Sequence, residues 1–152
     1  MNSRILSLRS VSSLATAVSL GAISAFAAPR VIEITANDQM KFSVATIEAT
    51  AGEEIKVVLK NDGTLPKEAM GHNFVLLKAG VDMTAFATAA MTAKDTDYVP
   101  AAKKGDVLAS IPVLGPKKSG EVTFKAPAAG DYSFLCSFPG HYMLMKGTLK
   151  VK

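Results

Sequence analysis

Turn-forming residues recur so often between Arg30 and Lys152 that mostly short apolar runs are left between them, and this punctuation limits the fold more than any other feature. Val31 to Thr35 stops at Asn37-Asp38. Met40 to Val44 and Ile47 to Ala49 are extended candidates, broken at Ala51-Gly52. Ile55 to Lys60, rich in β-branched residues, ends at Asn61-Asp62-Gly63, and Phe74 to Leu77 ends near Gly80. Val107 to Ile111, Glu121 to Lys125, Tyr132 to Phe138 and Gly147 to Lys152 follow, separated by Pro112, Gly115-Pro116, Pro127 and Gly130-Asp131. Many short strands with frequent turns predict an all-β sandwich or barrel.

One stretch has a different period. From Val81 to Lys94, the apolar residues Met83, Phe86, Ala87, Ala90 and Met91 fall at helical spacing behind Asp82, a residue suited to cap a helix. The spacing predicts one amphipathic helix over about 81–94, packed on the sandwich. With 49% apolar and 20% charged residues the chain is composed like a folded globular domain, and its 152 residues suffice for one.

The first 27 residues read separately. Arg4 and Arg9 precede an uncharged run from Val11 to Phe26, and Ala25-Phe26-Ala27 places small residues where a signal peptidase reads them. Residues 1–27 are therefore expected to be a cleaved secretory signal, with the cut after Ala27 or Ala28, and 28–152 a single working domain of about 125 residues. The run is short and rich in serine for a spanning helix, which needs about 20 apolar residues, so stable membrane insertion is not expected. Periplasmic export is. Without Arg4 and Arg9, 15 basic residues face 13 acidic ones. Lys103-Lys104 and Lys117-Lys118 are short pairs without interleaved aromatics, so a nucleic-acid surface is not expected.

The reactive groups are scarce and grouped. The single cysteine excludes an intramolecular disulfide and a four-thiolate metal site within the chain. It stands in Cys136-Ser-Phe-Pro-Gly-His141-Tyr-Met-Leu-Met145, on a loop between two expected strands, and the other histidine lies upstream in Gly71-His72-Asn73. A soft thiolate and thioether with imidazoles suit copper, and two His with one Cys and a weak axial Met is the blue-copper arrangement. A nucleophilic Cys–His pair lacks an orienting residue here, and structural zinc has little use for a thioether.

These residues carry a resemblance. Asn37 through Phe42, Leu65-Pro66-Lys67, Met70 through Leu76, Asp97-Tyr98 and Cys136 through Thr148 resemble the azurins of the cupredoxin family, in order along nearly the whole of 28–152. The resemblance implies a cupredoxin-like Greek-key β-sandwich with one external helix. It also implies one type 1 copper held by His72, Cys136 and His141, with Met145 as a long axial ligand and the Gly71 carbonyl opposite. The backbone N–H groups of Asn73 and Phe138 are expected to face the Cys136 sulfur. Azurins usually carry a disulfide near the N-terminal end and many bury a tryptophan where Phe74 stands. One cysteine forbids the disulfide here, so strand pairing and packing must hold that end.

The function this implies is one-electron transfer without enzymatic turnover. His141 is expected to reach the surface as the electron port, ringed by Leu65, Met70, Phe138, Pro139, Gly140, Met143 and Leu144. Expected partners are redox proteins such as a c-type cytochrome or a periplasmic reductase or oxidase. The alternative is a periplasmic copper-binding protein serving delivery or detoxification. A copper enzyme would need an open coordination position and acid–base groups beside it.

Overall fold

The computed structural model describes residues 28–152; the expected signal segment, 1–27, lies outside the described residues. Among the described residues nine strands form two open sheets: β1 (Arg30–Asn37), β2 (Lys41–Phe42), β3 (Thr46–Ala49), β4 (Glu54–Asn61), β5 (His72–Leu77), β6 (Val107–Leu114), β7 (Ser119–Lys125), β8 (Gly130–Leu135) and β9 (Lys146–Val151). One sheet has the order β2-β1-β4-β7 and the other β3-β9-β8-β5-β6, so the architecture is a sandwich and not a closed barrel. β1 runs parallel to β4 and β3 parallel to β9, while the other pairs are antiparallel. Two short helices of the described residues lie outside the sheets, α1 (Lys67–Met70) and α2 (Met83–Ala90).

Alternation explains the core. Along β4, Ile55, Val57 and Leu59 are buried at every second position, and Ile34 and Ala36 of β1 do the same. They meet Phe74 and Leu76 of β5, Ile111 of β6, Phe134 of β8 and Leu149 and Val151 of β9 between the sheets. Phe74 is fully buried, its ring 5.2 Å from that of Phe134. β5 does not alternate, because both of its faces are covered. Its other face places Val75 and Leu77, with Leu135, against Phe86 and Ala87 of α2.

The helix forms where the spacing predicts it but is shorter. Asp82 caps it, accepting from the N–H groups of Thr84 (2.8 Å) and Ala85 (3.0 Å). The chain then tightens, with the Met91 N–H donating to the Thr88 carbonyl, and continues into a 3-10 turn at Lys94–Thr96. Met91 consequently leaves the apolar face and is exposed.

Pro112, expected to end a strand, lies inside β6. It is tolerated because β6 is an edge strand, the proline side chain is exposed, and the pairing with β5 shifts register between His72 and Phe74 opposite it. The 3-10 turns and α1 had no signal of their own in the periodicity. Near Arg30, where no disulfide is possible, the parallel β1–β4 pairing is joined by the ion pair of Arg30 with Glu53 and by Arg30 Nη2 donating to the Glu48 carbonyl (2.6 Å).

Candidate metal centre

Three segments build the site. His72 opens β5 immediately after Gly71, and Cys136 follows the last residue of β8. β8 was expected to run on to Phe138. It stops at Leu135 because the next backbone groups are committed elsewhere: the Cys136 N–H donates to the Met145 carbonyl (2.9 Å) and the Ser137 N–H to Asn73 Oδ1 (2.8 Å). Phe138-Pro139-Gly140-His141 then forms a tight turn, His141 N–H donating to the Phe138 carbonyl (3.0 Å). Proline presets the second position, and Gly140 at φ 80° supplies the left-handed third one. A 3-10 turn at His141–Met143 follows, and the Met145 N–H donates back to the His141 carbonyl (2.8 Å). Cys136, His141 and Met145 are thus tied to one another through the backbone, and all three are buried.

The side chains converge. The imidazole nitrogens of His72 and His141 and the Cys136 Sγ include one candidate ligand atom each within 4.8 Å of the others, with Cys136 Sγ 3.6 Å from His141 Nδ1. The two imidazole rings lie 5.0 Å apart. Neither ring nitrogen of His72 makes a hydrogen bond of normal geometry, although the residue is wholly buried. A buried polar side chain without partners is costly, and a bound metal ion would resolve that cost here. The donor set, one thiol and two imidazoles with a buried thioether beside them, fits a soft cation such as copper.

Burial sets the protonation of these groups. It pushes the Cys136 thiol up to about 12, with the backbone N–H groups of Asn73 and Phe138 acting the other way, as expected of donors facing the sulfur. It lowers His141 to about 4, the nearby His72 adding to the effect. His72 is lowered too, chiefly by burial, while the Asn37 carbonyl and the Asp38 charge oppose the shift. Without metal, then, the pocket holds a neutral thiol and neutral imidazoles at pH 7.

The surroundings hold this geometry. Asn73 Nδ2 donates to the Ser137 hydroxyl (2.8 Å) and the Asp97 carbonyl (2.9 Å), and Ser137 Oγ donates to the Tyr98 carbonyl (2.7 Å). Asp97 Oδ1 in turn accepts from the Val113 N–H (3.2 Å) of β6. One amide side chain thereby joins β5, the cysteine loop and the 97–98 segment, where both residues have positive φ. Sequence reasoning singled out Asn73 but missed Ser137, whose signal was a polar residue directly beside the cysteine. Gly71 is confined: a Cβ there would stand 2.5 Å from Val113 Cγ1 and 2.6 Å from the Lys67 carbonyl. Gly71→Ala should therefore destabilise the protein by about 1–3 kcal/mol, read as a lower urea midpoint; an unchanged midpoint would mean that Val113 yields freely.

The residues expected to ring His141 differ in exposure. Leu65 (43%), Met143 (61%) and Leu144 (64%) are exposed, Gly140 is exposed, and Met70 and Pro139 are half-buried. Phe138 is not a rim residue. It is buried between Tyr98, 5.0 Å away, and His141, 4.7 Å away, because the tight turn folds its ring inward. His141 itself presents only 3% of its surface.

A two-sheet sandwich that gathers a buried thiol, two imidazoles and a thioether on adjoining loops defines a copper-binding protein of the blue-copper type. The family described as copper binding proteins, plastocyanin/azurin family, matches residues 30–152, and the chain belongs to it. Azurin of Bordetella pertussis (strain Tohama I) is 43% identical over 141 residues, covering 85% of this chain and 91% of its own. Azurin of Pseudomonas denitrificans is 43% identical over 128 residues, covering 80% and 97%. Among solved structures, auracyanin A, a "blue" copper protein of Chloroflexus aurantiacus, is similar with a TM-score of 0.74 at 34% identity, covering 82% of this chain and all of its own. Azurin Az-iso2 of Methylomonas sp. strain J is similar with a TM-score of 0.71 at 33% identity, covering 82% and 99%.

Proposed function

We propose that this chain is an exported, periplasmic one-electron carrier that docks transiently with redox proteins such as a c-type cytochrome or a periplasmic reductase or oxidase. The observation that carries this reading is the pre-assembled cluster of His72, Cys136 and His141, buried and held by backbone bonds that need no metal to form. Met145 and the Gly71 carbonyl would complete the donor set that holds the ion. Bound copper supplies a Cu(II)/Cu(I) couple.

The protein's own residues do the rest. The hydrogen-bonded loops keep the donors in place, so that little rearrangement accompanies a change of charge. Burial excludes water, and the N–H groups of Asn73 and Phe138 draw electron density from the Cys136 sulfur. The sliver of His141 at the surface is the electron port, and exposed Leu65, Met143 and Leu144 give an apolar docking rim. Such encounters bury small interfaces, below about 1,200 Å² in total, and release quickly.

The test is the visible spectrum and redox cycling of the purified protein with Cu(II). An intense blue band and repeated reduction without metal loss are expected; a colourless adduct, or copper lost on each reduction, would favour a delivery or detoxification protein. Met145→Leu should keep the band and raise the midpoint potential by about 60 mV, a tenfold shift in a one-electron equilibrium. An unchanged potential would remove Met145 from the ligand set.

A further inference from the structure

Asp38 sits in the turn between β1 and β2, yet its carboxylate serves a different loop. Thr64 donates to Asp38 Oδ2 through its N–H (2.8 Å) and its hydroxyl (2.9 Å), and the Leu65 N–H reaches Oδ1 at 3.4 Å. Gly63 makes room for this, since a Cβ there would fall on Asp38 Oδ1 and stand 2.9 Å from Asn61 Oδ1. Asp62 to Pro66 has no regular secondary structure, and α1 beyond it buries no side chain. With so little packing, the segment is placed by bonds from its neighbours: the Asn61 side chain to the Gly63 N–H (2.9 Å), the Ala36 carbonyl to the Asp62 N–H (2.8 Å), and Asp38. It carries the exposed Leu65 and leads through α1 into Gly71 and His72.

We propose that Asp38 is a positioning residue of the metal centre: its carboxylate clamps the Gly63–Leu65 turn and holds a fixed negative charge near His72 that favours the oxidised form of the bound copper. This rests on the copper reading above. The clamped turn adjoins the metal centre through Asn61, which accepts from the Gly63 N–H and donates from Nδ2 to the carbonyl of Leu114 (3.1 Å), the residue paired with His72 at the start of β5. A nearby anion stabilises the more highly charged ion more, so it lowers the reduction potential. Three hydrogen bonds keep the charge from moving away, and its partial solvent exposure makes the effect sensitive to salt.

Three variants separate the two parts. Asp38→Asn keeps the shape and removes the charge; Thr64→Val keeps the charge and removes one donor; Asp38→Ala removes the clamp. Midpoint potentials are read at about 10 mM and about 500 mM salt. Amide hydrogen exchange of Thr64 and Leu65 is read in the metal-free protein. Asp38→Asn should raise the potential by an about two- to five-fold shift in the Cu(II)/Cu(I) ratio at low salt, less at high salt. Thr64→Val should leave the potential unchanged. In metal-free Asp38→Ala, the two amides should exchange at least about tenfold faster. An unchanged potential in Asp38→Asn at low salt, an equal rise in Thr64→Val, or unaltered exchange in Asp38→Ala overturns the proposal. Failure of the unsubstituted protein to show the blue band overturns the copper reading instead.

Discussion

Cys136→Ser should abolish the intense blue absorption of the copper-loaded protein while leaving a folded β-sandwich. The band requires a soft thiolate bonded to copper, and a serine hydroxyl supplies a hard oxygen instead. The fold should survive because the structural bonds of this residue belong to its backbone, with its N–H on the Met145 carbonyl. The N–H groups of Asn73 and Phe138 that face the sulfur can face a hydroxyl oxygen equally well. The expected loss of stability is about 1–2 kcal/mol. Visible absorption and far-ultraviolet circular dichroism check the two halves. A surviving blue band would mean that Cys136 is not the ligand, and loss of the β signal would mean that its thiol is a core element first.

The metal-free protein should lose stability steeply as pH falls from about 6.5 towards 4, and bound copper should remove most of that loss. Unfolded histidines take up a proton near 6.5, whereas burial delays protonation of folded His141 to about 4. Across that window the unfolded state binds more protons, so the stability of the folded state falls with pH. For His141 alone the loss by pH 4 is about 3 kcal/mol, and His72, lowered by the same burial, adds in the same direction. Copper competes with the proton for these nitrogens, and it displaces the proton of the buried thiol, so loading should also release about one proton per ion near neutral pH. Urea unfolding of metal-free and copper-bound protein at pH 7.5 and 4.5 is the check. Equal stability of the metal-free form at both values would contradict the burial of neutral imidazoles.

The strands were legible where burial alternates or a turn residue stands at the end. Ile55 to Lys60 ends at Asn61-Asp62-Gly63 in both sequence and structure, because local turn chemistry and sheet register agree there. β5 was recognisable as an apolar run, but not as a strand covered on both faces, since α2 supplies the second cover from a distance. Pro112 misled because a proline reads as a breaker unless the strand is known to lie at an edge. Met91 continued the helical period, yet the helix had already tightened before it. In the site, His72, Cys136 and His141 converge as their residue types predicted. Phe138 was misplaced, because a Pro-Gly turn says that the chain reverses and not which way the ring before it points. Asp38 and Ser137 act through hydrogen bonds to residues 26 and 64 positions away, and no local pattern marks such partners.

By itself the sequence determined the chemistry: one thiol, two imidazoles and a neighbouring thioether, on a chain of short strands, leave copper as the ion these donors suit. Residue type and short-range spacing carry that information, because ligand softness and turn geometry are local properties. Only the tertiary structure decided how the donors are held. It brings His72 from β5 to a loop more than sixty residues later, buries both imidazoles neutral, turns Phe138 inward and sets the Asp38 carboxylate on the Thr64 turn. Burial and electrostatic reach depend on what packs around a group, and neighbours distant in sequence are chosen by the fold.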